Sequence, residues 1–320
     1  MDTSQRRPSV SELLTDRYQL TMAYSYFKQG KHLDNAVFDA FFRKCPFKGE
    51  FAIFGGLGSL ISFIQNFKIS EEDIEFLRSD LGFPDPKFYE YLKGLDGSNL
   101  KIYAMNEGEV VFPNEPLVRL EGPLALIQII ETTVLNLLNF PTLIATNARR
   151  MKNVVGDDKQ MIEFGLRRAQ GPDGAMMASQ YSYLGGFHGT SNVAAGKAYG
   201  VKTVGTLSHS YICSFDSYDD VKNRILDGKD FFEEALKIRK ELGYQNTNDG
   251  EFAAFAAYAI DHPTNFVALV DTYDTVQSGV LNFVATSIAL KNFGYEPKGV
   301  RLDSGDLAEL SKTVRRIVDQ

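Results

Sequence analysis

The carboxyl-terminal half of the chain repeats one pattern, a short apolar run followed by polar and glycine-rich residues and then by a helical segment. The pattern is readable at residues 160–164, 201–205, 266–270 and 299–302. Strands that alternate with helices in this way predict parallel βα units. Catalytic groups lie at the carboxyl ends of such strands, so we expect an active site there. The charged and reactive residues at those ends are Arg167, Arg168, His209, Asp271, Arg301 and Asp306.

The amino-terminal half has a different pattern. Apolar residues at every fourth position between residues 11 and 30, Tyr18 among them, predict an amphipathic helix that ends at Gly30. The other predicted elements are a strand at 35–43, a helix capped by Ser70, short antiparallel strands within 101–120 and a long helix over 124–155, broken near Pro141. The change of pattern predicts a boundary near residue 157. Residues 1–156 would form an α+β domain with long helices, and residues 157–320 the first part of an α/β barrel.

The second half is short for a closed barrel. A complete eight-unit barrel takes about 250 residues, and only about half that number follow the predicted boundary. The last helical segment, residues 307–320, also lacks a capping glycine at its end. We therefore expect an incomplete barrel and a chain that is the amino-terminal piece of a longer protein.

Composition and charge exclude several classes of protein. With 44% hydrophobic and 23% charged residues the chain has the composition of a globular protein, and its net charge of -7 argues against nucleic acid or an anionic membrane as a partner. Cys45 and Cys213 are too few for a disulfide or zinc framework, which favours a reduced cytosolic protein. Residues 1–8 lack the apolar core of a secretory signal. Polar residues within 124–145 favour a core helix over a membrane span.

Two loops are candidates for binding an anion. In residues 163–174 a strand end is followed by Arg167, Arg168 and a glycine-bearing turn, and guanidinium groups match carboxylate or phosphate geometry. The alternative is a solvated arginine pair. Residues 183–192 precede a predicted helix at 193–199, whose amino terminus can bind an anion or can simply be capped.

A histidine follows the second apolar run. Thr206 and His209 are expected to face the mouth of the sheet, where a histidine can act as an acid, a base or a nucleophile. A histidine that is only hydrogen-bonded is the alternative. The neighbouring Ser208 and Ser210 lack the glycine-flanked elbow of a hydrolase, so no hydrolase site is predicted.

Residues 299–307 are the most informative run. Arg301 is followed by Asp303 and Asp306 around a glycine turn. The guanidinium can bind an anionic substrate, and the carboxylates can bind sugar hydroxyls or the hydration shell of Mg²⁺. The alternative is a strand, a turn and a helix that Asp306 caps.

Together these motifs resemble the nicotinate phosphoribosyltransferase family of the eukaryotic type. The matching stretches are residues 14–22, 41–47, 163–174, 181–192, 205–210 and 299–307. They are long, ordered and spread over nearly the whole chain. The resemblance implies an α/β protein with an amino-terminal α+β domain packed on an irregular α/β barrel. It also implies a head-to-tail homodimer with shared active sites.

The family joins nicotinate to 5-phosphoribosyl 1-diphosphate, giving nicotinate mononucleotide and diphosphate in NAD biosynthesis, with ATP hydrolysis coupled to the reaction. By this resemblance His209 is the histidine that ATP phosphorylates, and Tyr18, Thr206 and Arg301 contact nicotinate. Mg²⁺ on the leaving diphosphate is the implied cofactor, and no dedicated metal-binding residue is assigned. We assign a catalytic role to Asp303 as well as to His209, and we count Arg167 among the substrate contacts.

Recognition of the pyridine ring follows from the same resemblance. Phe164 and Tyr18 of the partner subunit can sandwich the ring, because aromatic faces give contact area at little entropic cost; ordinary packing is the alternative for both. Ser191 stands where the related nicotinamide enzyme has an aspartate that would repel a carboxylate, so it agrees with nicotinate. Two further hypotheses remain: a non-catalytic truncated chain that dimerises or binds ligand, and a phosphoribosyltransferase for another aromatic acid.

Overall fold

A computed structural model describes residues 10–320 of the chain. The prediction about a secretory signal in residues 1–8 lies outside the described residues. The described chain divides into two compact units, one ending at Val204 and the other being Gly205–Gln320. This division falls within the βα units of the second half. The boundary near residue 157, which the change of sequence pattern predicts, stays a prediction.

The first unit combines helices with short, mainly antiparallel strands. Its helices are α1 (Arg17–Lys28), α2 (Leu57–Gln65), α3 (Glu71–Leu81), α4 (Pro86–Lys93), α5 (Leu124–Val155), α6 (Gly171–Leu184) and α7 (Val193–Tyr199). Its strands are β1 (Asn35–Ala40), β2 (Ala52–Ile53), β3 (Lys101–Ala104), β4 (Val110–Val111), β5 (Val118–Pro123), β6 (Ile162–Glu163) and β7 (Gly189–Thr190). The order β1-β5-β3 is antiparallel, as is the pair β2-β4, whereas β6 and β7 are parallel.

Helix α1 buries a different face from the predicted one. Its buried residues are Gln19, Leu20 and Ala23, and Tyr18 is 54% exposed. The prediction that the apolar stripe of Tyr18 is the packed face is therefore wrong. Residues 18, 22 and 26 lie within about 80° of one another on a helix of 3.6 residues per turn, but the side that packs on α5 is the neighbouring one, which carries Gln19, Leu20 and Ala23. The predicted stop is confirmed, because Gly30 has φ +71° just beyond the helix.

Helix α5 runs through Pro141 without the predicted break. Proline removes one backbone donor, but Pro141 is buried and the packed face continues past it to Ala145 and Ala148. The Ile53 N–H donates to the Thr146 hydroxyl at 2.8 Å, which ties this part of the helix to β2. Tertiary packing therefore outweighs the local cost of the proline.

The burial of α5 agrees with the core-helix interpretation. By length and composition α5 could cross a membrane, yet 61% of its most apolar window is buried within the structure. The predicted capping of α3 is also confirmed, since Ser70 and Asp73 form a reciprocal capping box.

The second unit packs helices against a short parallel strand pair. Its helices are α8 (His209–Ile212), α9 (Phe231–Glu241), α10 (Asp249–Asp261), α11 (Val280–Asn292) and α12 (Leu307–Val318). Its strands are β8 (Ile225–Leu226), β9 (Lys229–Asp230), β10 (Val267–Leu269) and β11 (Gly299–Arg301). Strands β10 and β11 are parallel, with Leu269 opposite Arg301. Apolar residues of β10 are buried with the Ala- and Phe-rich faces of α10 and α11.

Three of the four predicted parallel runs contain a strand, and the run at residues 201–205 does not. Residues 201–205 form only a single parallel bridge, between Thr203 and Thr190. The Thr190 N–H donates to Lys202 O and the Val204 N–H donates to Thr190 O, but β7 is only two residues long and offers no further partner. The mixed α/β class is confirmed, and the described residues form no closed barrel.

Candidate active site

The site in the second unit is built on the carboxyl ends of β10 and β11. Asp271 lies two residues beyond β10, and Asp303 lies two residues beyond β11. The Val270 N–H donates to Arg301 O at 3.3 Å, so the two strand ends stay paired up to the point where these carboxylates begin. Parallel pairing therefore places both acids at one edge of the unit, as the sequence predicted.

Arg301 is anchored at this edge by polar contacts on two sides. Its Nη1 donates to the Thr206 hydroxyl at 3.4 Å and to Leu207 O at 3.5 Å, and its Nη2 donates to Asp303 Oδ1 at 2.8 Å. The Arg301 side chain is 28% exposed. A partly exposed guanidinium that is held in place is suited to binding a planar anion.

His209 begins α8 and faces a buried carboxylate. Its Nε2 lies 3.2 Å from Asp271 Oδ1, and the Asp271 side chain is only 2% exposed while that of His209 is 43% exposed. A carboxylate accepts hydrogen bonds, so this pairing favours the imidazole tautomer in which Nε2 donates and the lone pair lies on Nδ1. The arrangement is that of an oriented nucleophile or base with its acidic partner behind it.

Asp271 also connects His209 to the loop after β11. Its Oδ2 accepts hydrogen bonds from the Ser304 hydroxyl at 2.5 Å and from the Asp303 N–H at 3.3 Å. One carboxylate therefore fixes the imidazole and the backbone next to Arg301 at the same time. The sequence placed Asp271 at a strand end but gave it no part in the site; its position directly after a buried apolar run was the available signal.

Asp306 has the structural role that the sequence left open. Its carboxylate accepts from the Glu309 N–H at 3.1 Å and so caps α12, after a turn in which Gly305 has φ +78°. The carboxylate of Asp306 is therefore engaged at the start of α12.

In the first unit a buried network ties together the predicted residues Phe164 and Ser191. The carboxylate of Glu163 accepts from the Ser179 hydroxyl at 3.0 Å and the Thr190 hydroxyl at 2.7 Å. The Ser191 N–H donates to Glu163 O at 2.9 Å. Phe164 and Ser191 each follow a residue of this network in the chain, so Glu163 positions both, a role that sequence reasoning missed.

The other predicted residues of the first unit lie at its surface. Phe164 is 43% exposed, and Arg167 is exposed on a single 3₁₀ turn, Leu166–Arg168. At the start of α7 the Asn192 side chain accepts from the Ala195 N–H at 3.2 Å, which is the ordinary capping alternative.

Tyr18 lines an open cleft of about 620 Å³ on the first unit. Several of its lining residues come from the matched stretch 41–47, namely Phe41, Phe42, Lys44 and Pro46. Exposed apolar side chains, among them Phe41 and Leu135, give the cleft an apolar rim. The sequence did not predict this grouping, because Tyr18 and residues 41–47 lie on separate elements.

Within residues 10–320 no group of three or more His, Cys, Asp or Glu side chains is arranged to hold a metal ion. Asp303, whose side chain is 30% exposed, is the carboxylate beside Arg301 at the strand ends. Mg²⁺ in phosphate-transferring sites is usually held by one or two carboxylates together with substrate phosphates. The donor set therefore fits an ion that arrives with a phosphorylated substrate better than a resident one.

Comparison with known proteins places these residues in a family. The model of the nicotinate phosphoribosyltransferase amino-terminal domain matches residues 13–139, and the model of the nicotinate phosphoribosyltransferase family matches residues 159–319. The second match contains His209, Asp271, Arg301 and Asp303. Together the two models span most of the chain.

Individual relatives give the same result. The chain is 50% identical to nicotinate phosphoribosyltransferase 2 of Arabidopsis thaliana and to nicotinate phosphoribosyltransferase of Caenorhabditis elegans, over 96% of its own length in each case. The chain spans 58% and 57% of the length of these relatives. The crystal structure of human nicotinic acid phosphoribosyltransferase matches with a TM-score of 0.87 and 43% identity, covering 95% of this chain and 64% of that one.

Proposed function

Because the chain belongs to the nicotinate phosphoribosyltransferase family, we propose that it forms part of an enzyme that joins nicotinate to 5-phosphoribosyl 1-diphosphate. In this proposal the chain contains the residues that bind nicotinate and that take a phosphoryl group from ATP. The products are nicotinate mononucleotide and diphosphate, and ATP hydrolysis is coupled to their formation. The observation that carries this proposal is the grouping of Arg301, Thr206, His209 and Asp271 in one small region of the second unit.

Arg301 is the proposed ligand of the nicotinate carboxylate. Its guanidinium is held by Thr206 and Asp303, so it meets an incoming carboxylate with little loss of side-chain freedom. The neutral pyridine nitrogen attacks C1 of the ribose as diphosphate leaves, so the main tasks of the protein are to orient the ring and to balance charge.

Contacts to the ring and phosphates are proposed for residues of the first unit. Phe164 presents an exposed aromatic face for stacking, and Arg167 an exposed guanidinium for phosphate. Ser191 adds no negative charge beside the substrate carboxylate, which favours nicotinate over its amide. Glu163 supports this recognition by fixing the backbone beside Phe164 and Ser191.

The proposed role of His209 is to take a phosphoryl group from ATP. The Nδ1 lone pair attacks the γ-phosphorus, the bond from phosphorus to the bridging oxygen breaks, and ADP leaves with the electron pair. Asp271 holds the Nε2–H and balances the positive charge that forms on the ring. Water later hydrolyses the phosphoramidate and returns the histidine.

The proposed cofactor is Mg²⁺, which would neutralise charge on the diphosphate leaving group and on ATP. Asp303 is the carboxylate that could share such an ion, because its side chain is partly exposed beside Arg301. The proposed catalytic role of Asp303 is electrostatic: it would help to balance the charge that develops in the reaction.

We also propose that the protein acts as a homodimer in the cytosol. The cleft that Tyr18 lines has exposed apolar residues, Phe41, Leu135 and Leu143 among them, and such surfaces commonly mark protein interfaces. A second copy of the chain is the proposed partner, and Tyr18 of the partner subunit would complete the stack on the nicotinate ring. Neither nucleic acid nor a membrane is a proposed partner, given the net charge of -7.

Substitution of Arg301 by lysine tests the carboxylate contact. Arg301→Lys keeps the positive charge but removes the planar pair of donors, so nicotinate should bind more weakly by roughly 1–3 kcal/mol. Calorimetric titration of the protein with nicotinate measures this change. Arg315→Lys is the matched control, because Arg315 lies on α12 in an exposed pair with Asp319. Unchanged nicotinate affinity in folded Arg301→Lys protein would remove Arg301 from the site.

A further inference from the structure

Glu251 is a fully buried carboxylate that the proposed reaction does not use. It lies in the first turn of α10 with 0% of its surface exposed. Its Oε2 accepts from the Ser278 hydroxyl at 2.5 Å and from the Asn282 side-chain amide at 3.0 Å. Its Oε1 has no hydrogen-bond partner among the described residues. Burying an acid of this kind is costly, so the contacts that Glu251 holds in place are expected to matter for the fold or the site.

The hydrogen bond to Ser278 fixes the segment that follows Asp271. Residues Thr275–Gly279 form a single π-helical turn, and the Asp274 carboxylate accepts from the Val276 and Gln277 N–H groups at its start. Ser278 also accepts from the Asn248 N–H at 2.9 Å. Glu251 and Asn248 therefore hold the end of this turn against the start of α10. Single π-turns of this kind are frequent at functional sites.

The next residue, Gly279, lies against the backbone that leads into Asp271. A Cβ atom at Gly279 would lie only 2.0 Å from the carbonyl oxygen of Val270, so the two backbones are in direct contact. Val270 is fully buried and immediately precedes Asp271. A continuous line of contacts thus runs from Glu251 through Ser278 and Gly279 to Val270 and Asp271.

We propose that Glu251 is a positioning residue for Asp271 and, through Asp271, for the imidazole of His209. The proposal deepens the proposed function and rests on it for its catalytic meaning. Its structural content concerns only the second unit: loss of the Glu251–Ser278 bond lets the Ser278–Gly279 segment relax, and the carboxylate of Asp271 is then held less well against Nε2 of His209.

The electrostatic surroundings of Glu251 disfavour its charged form. Burial raises the pKa of Glu251 to about 7, against the lowering effect of the Ser278 and Asn282 hydrogen bonds. The charged groups that act on it are Arg239 of α9, which lowers its pKa, and Asp274 of the π-turn, which raises it. Burial raises the pKa of Tyr273, and the charge of Glu251 is one of the further causes that raise it.

The imidazole of His209 provides a test that needs no catalysis. The chain has four histidines, so NMR of the ¹⁵N-labelled imidazoles resolves each ring, and His209→Gln assigns its signals. Asp271→Ala should change the ¹⁵N shift of His209 Nε2, because it removes the carboxylate oxygen that lies 3.2 Å from this atom. Glu251→Met removes the acceptor for Ser278 and should change the same signal in the same direction by a smaller amount, since Asp271 remains but is positioned less well.

A double substitution separates positioning from direct charge effects. If Glu251 acts through Asp271, Glu251→Met causes no further change in the His209 Nε2 shift on the Asp271→Ala background. If its charge acts directly on His209, the two changes add. Ser278→Ala is the second variant for the same cycle, because it removes the hydrogen bond and keeps the glutamate should Glu251→Met fold poorly.

Ser287→Ala is the matched control, because Ser287 is buried on α11 and its hydroxyl has no hydrogen-bond partner among the described residues. It should leave the His209 Nε2 shift unchanged, and the His188 and His262 signals should stay at their parent positions in every variant. Parent-like His209 signals in folded Glu251→Met and Ser278→Ala, or additive changes in the double variants, would overturn the proposal. Failure of the protein to make nicotinate mononucleotide would overturn the proposed function and leave this result intact.

Discussion

His209→Ala should abolish ATP hydrolysis that depends on the other substrates, with a loss of about 100-fold or more. The imidazole supplies the nucleophilic nitrogen, and alanine offers no atom that can take the phosphoryl group. The variant is to be made in the protein expressed from its complete open reading frame. Phosphate release and mononucleotide formation are then measured in the same reaction, with and without ATP.

The other histidines serve as controls for this prediction. The Met161 N–H donates to His188 Nδ1 at 2.9 Å, and His262 ends α10 and packs on Tyr258. His262→Ala should therefore keep the coupling to ATP. A folded His209→Ala protein whose ATP hydrolysis and stimulation match those of the parent would refute the phosphohistidine role.

Glu251→Gln should change how stability depends on pH by about 3 kcal/mol. The folded chain raises the pKa of Glu251 from its ordinary 4.5 to about 7 through burial. Between these values the folded state keeps a proton that the unfolded state releases, so stability falls as pH rises and the full penalty applies above about pH 7. At 1.36 kcal/mol per unit the penalty is about 3 kcal/mol, and glutamine lacks it.

Urea unfolding at pH 5 and pH 8 measures this difference for the parent and the variant. The stability gained by Glu251→Gln should be larger at pH 8 than at pH 5. Glu241→Gln is the matched control, because Glu241 lies exposed at the end of α9 and pairs only loosely with Lys237 at 3.9 Å. Equal effects of Glu251→Gln at both pH values would show that the buried carboxyl titrates as an ordinary glutamate.

The strand-end residues could be predicted because local pattern and general topology suffice for them. An apolar run followed by Arg301 and Asp303 indicates a strand and a functional edge without knowledge of any partner. The parallel pairing of β10 with β11 then brings Asp271 and Asp303 together, as observed. The link from Asp271 to His209 is a contact across 62 positions of the chain, and no local pattern encodes it.

The wrong predictions have the same origin. A proline interrupts a helix locally, but the packing of α5 on both sides of Pro141 is a tertiary effect. The repeat around Tyr18 identified a helix correctly, but the buried face depends on which side of the helix meets α5. Glu251 has no feature in the sequence that marks it as buried, and only the packing of α10 against α11 shows its burial.

The most direct test of the central claim is the formation of nicotinate mononucleotide from nicotinate and 5-phosphoribosyl 1-diphosphate, with and without ATP. The 320-residue chain and the protein expressed from its complete open reading frame are compared, with quinolinate and nicotinamide as alternative acceptors. The account predicts that the latter protein forms nicotinate mononucleotide and diphosphate in equal amounts, prefers nicotinate, and is stimulated by ATP. Product from another acceptor in preference to nicotinate, or no product from folded protein that binds nicotinate, would contradict it.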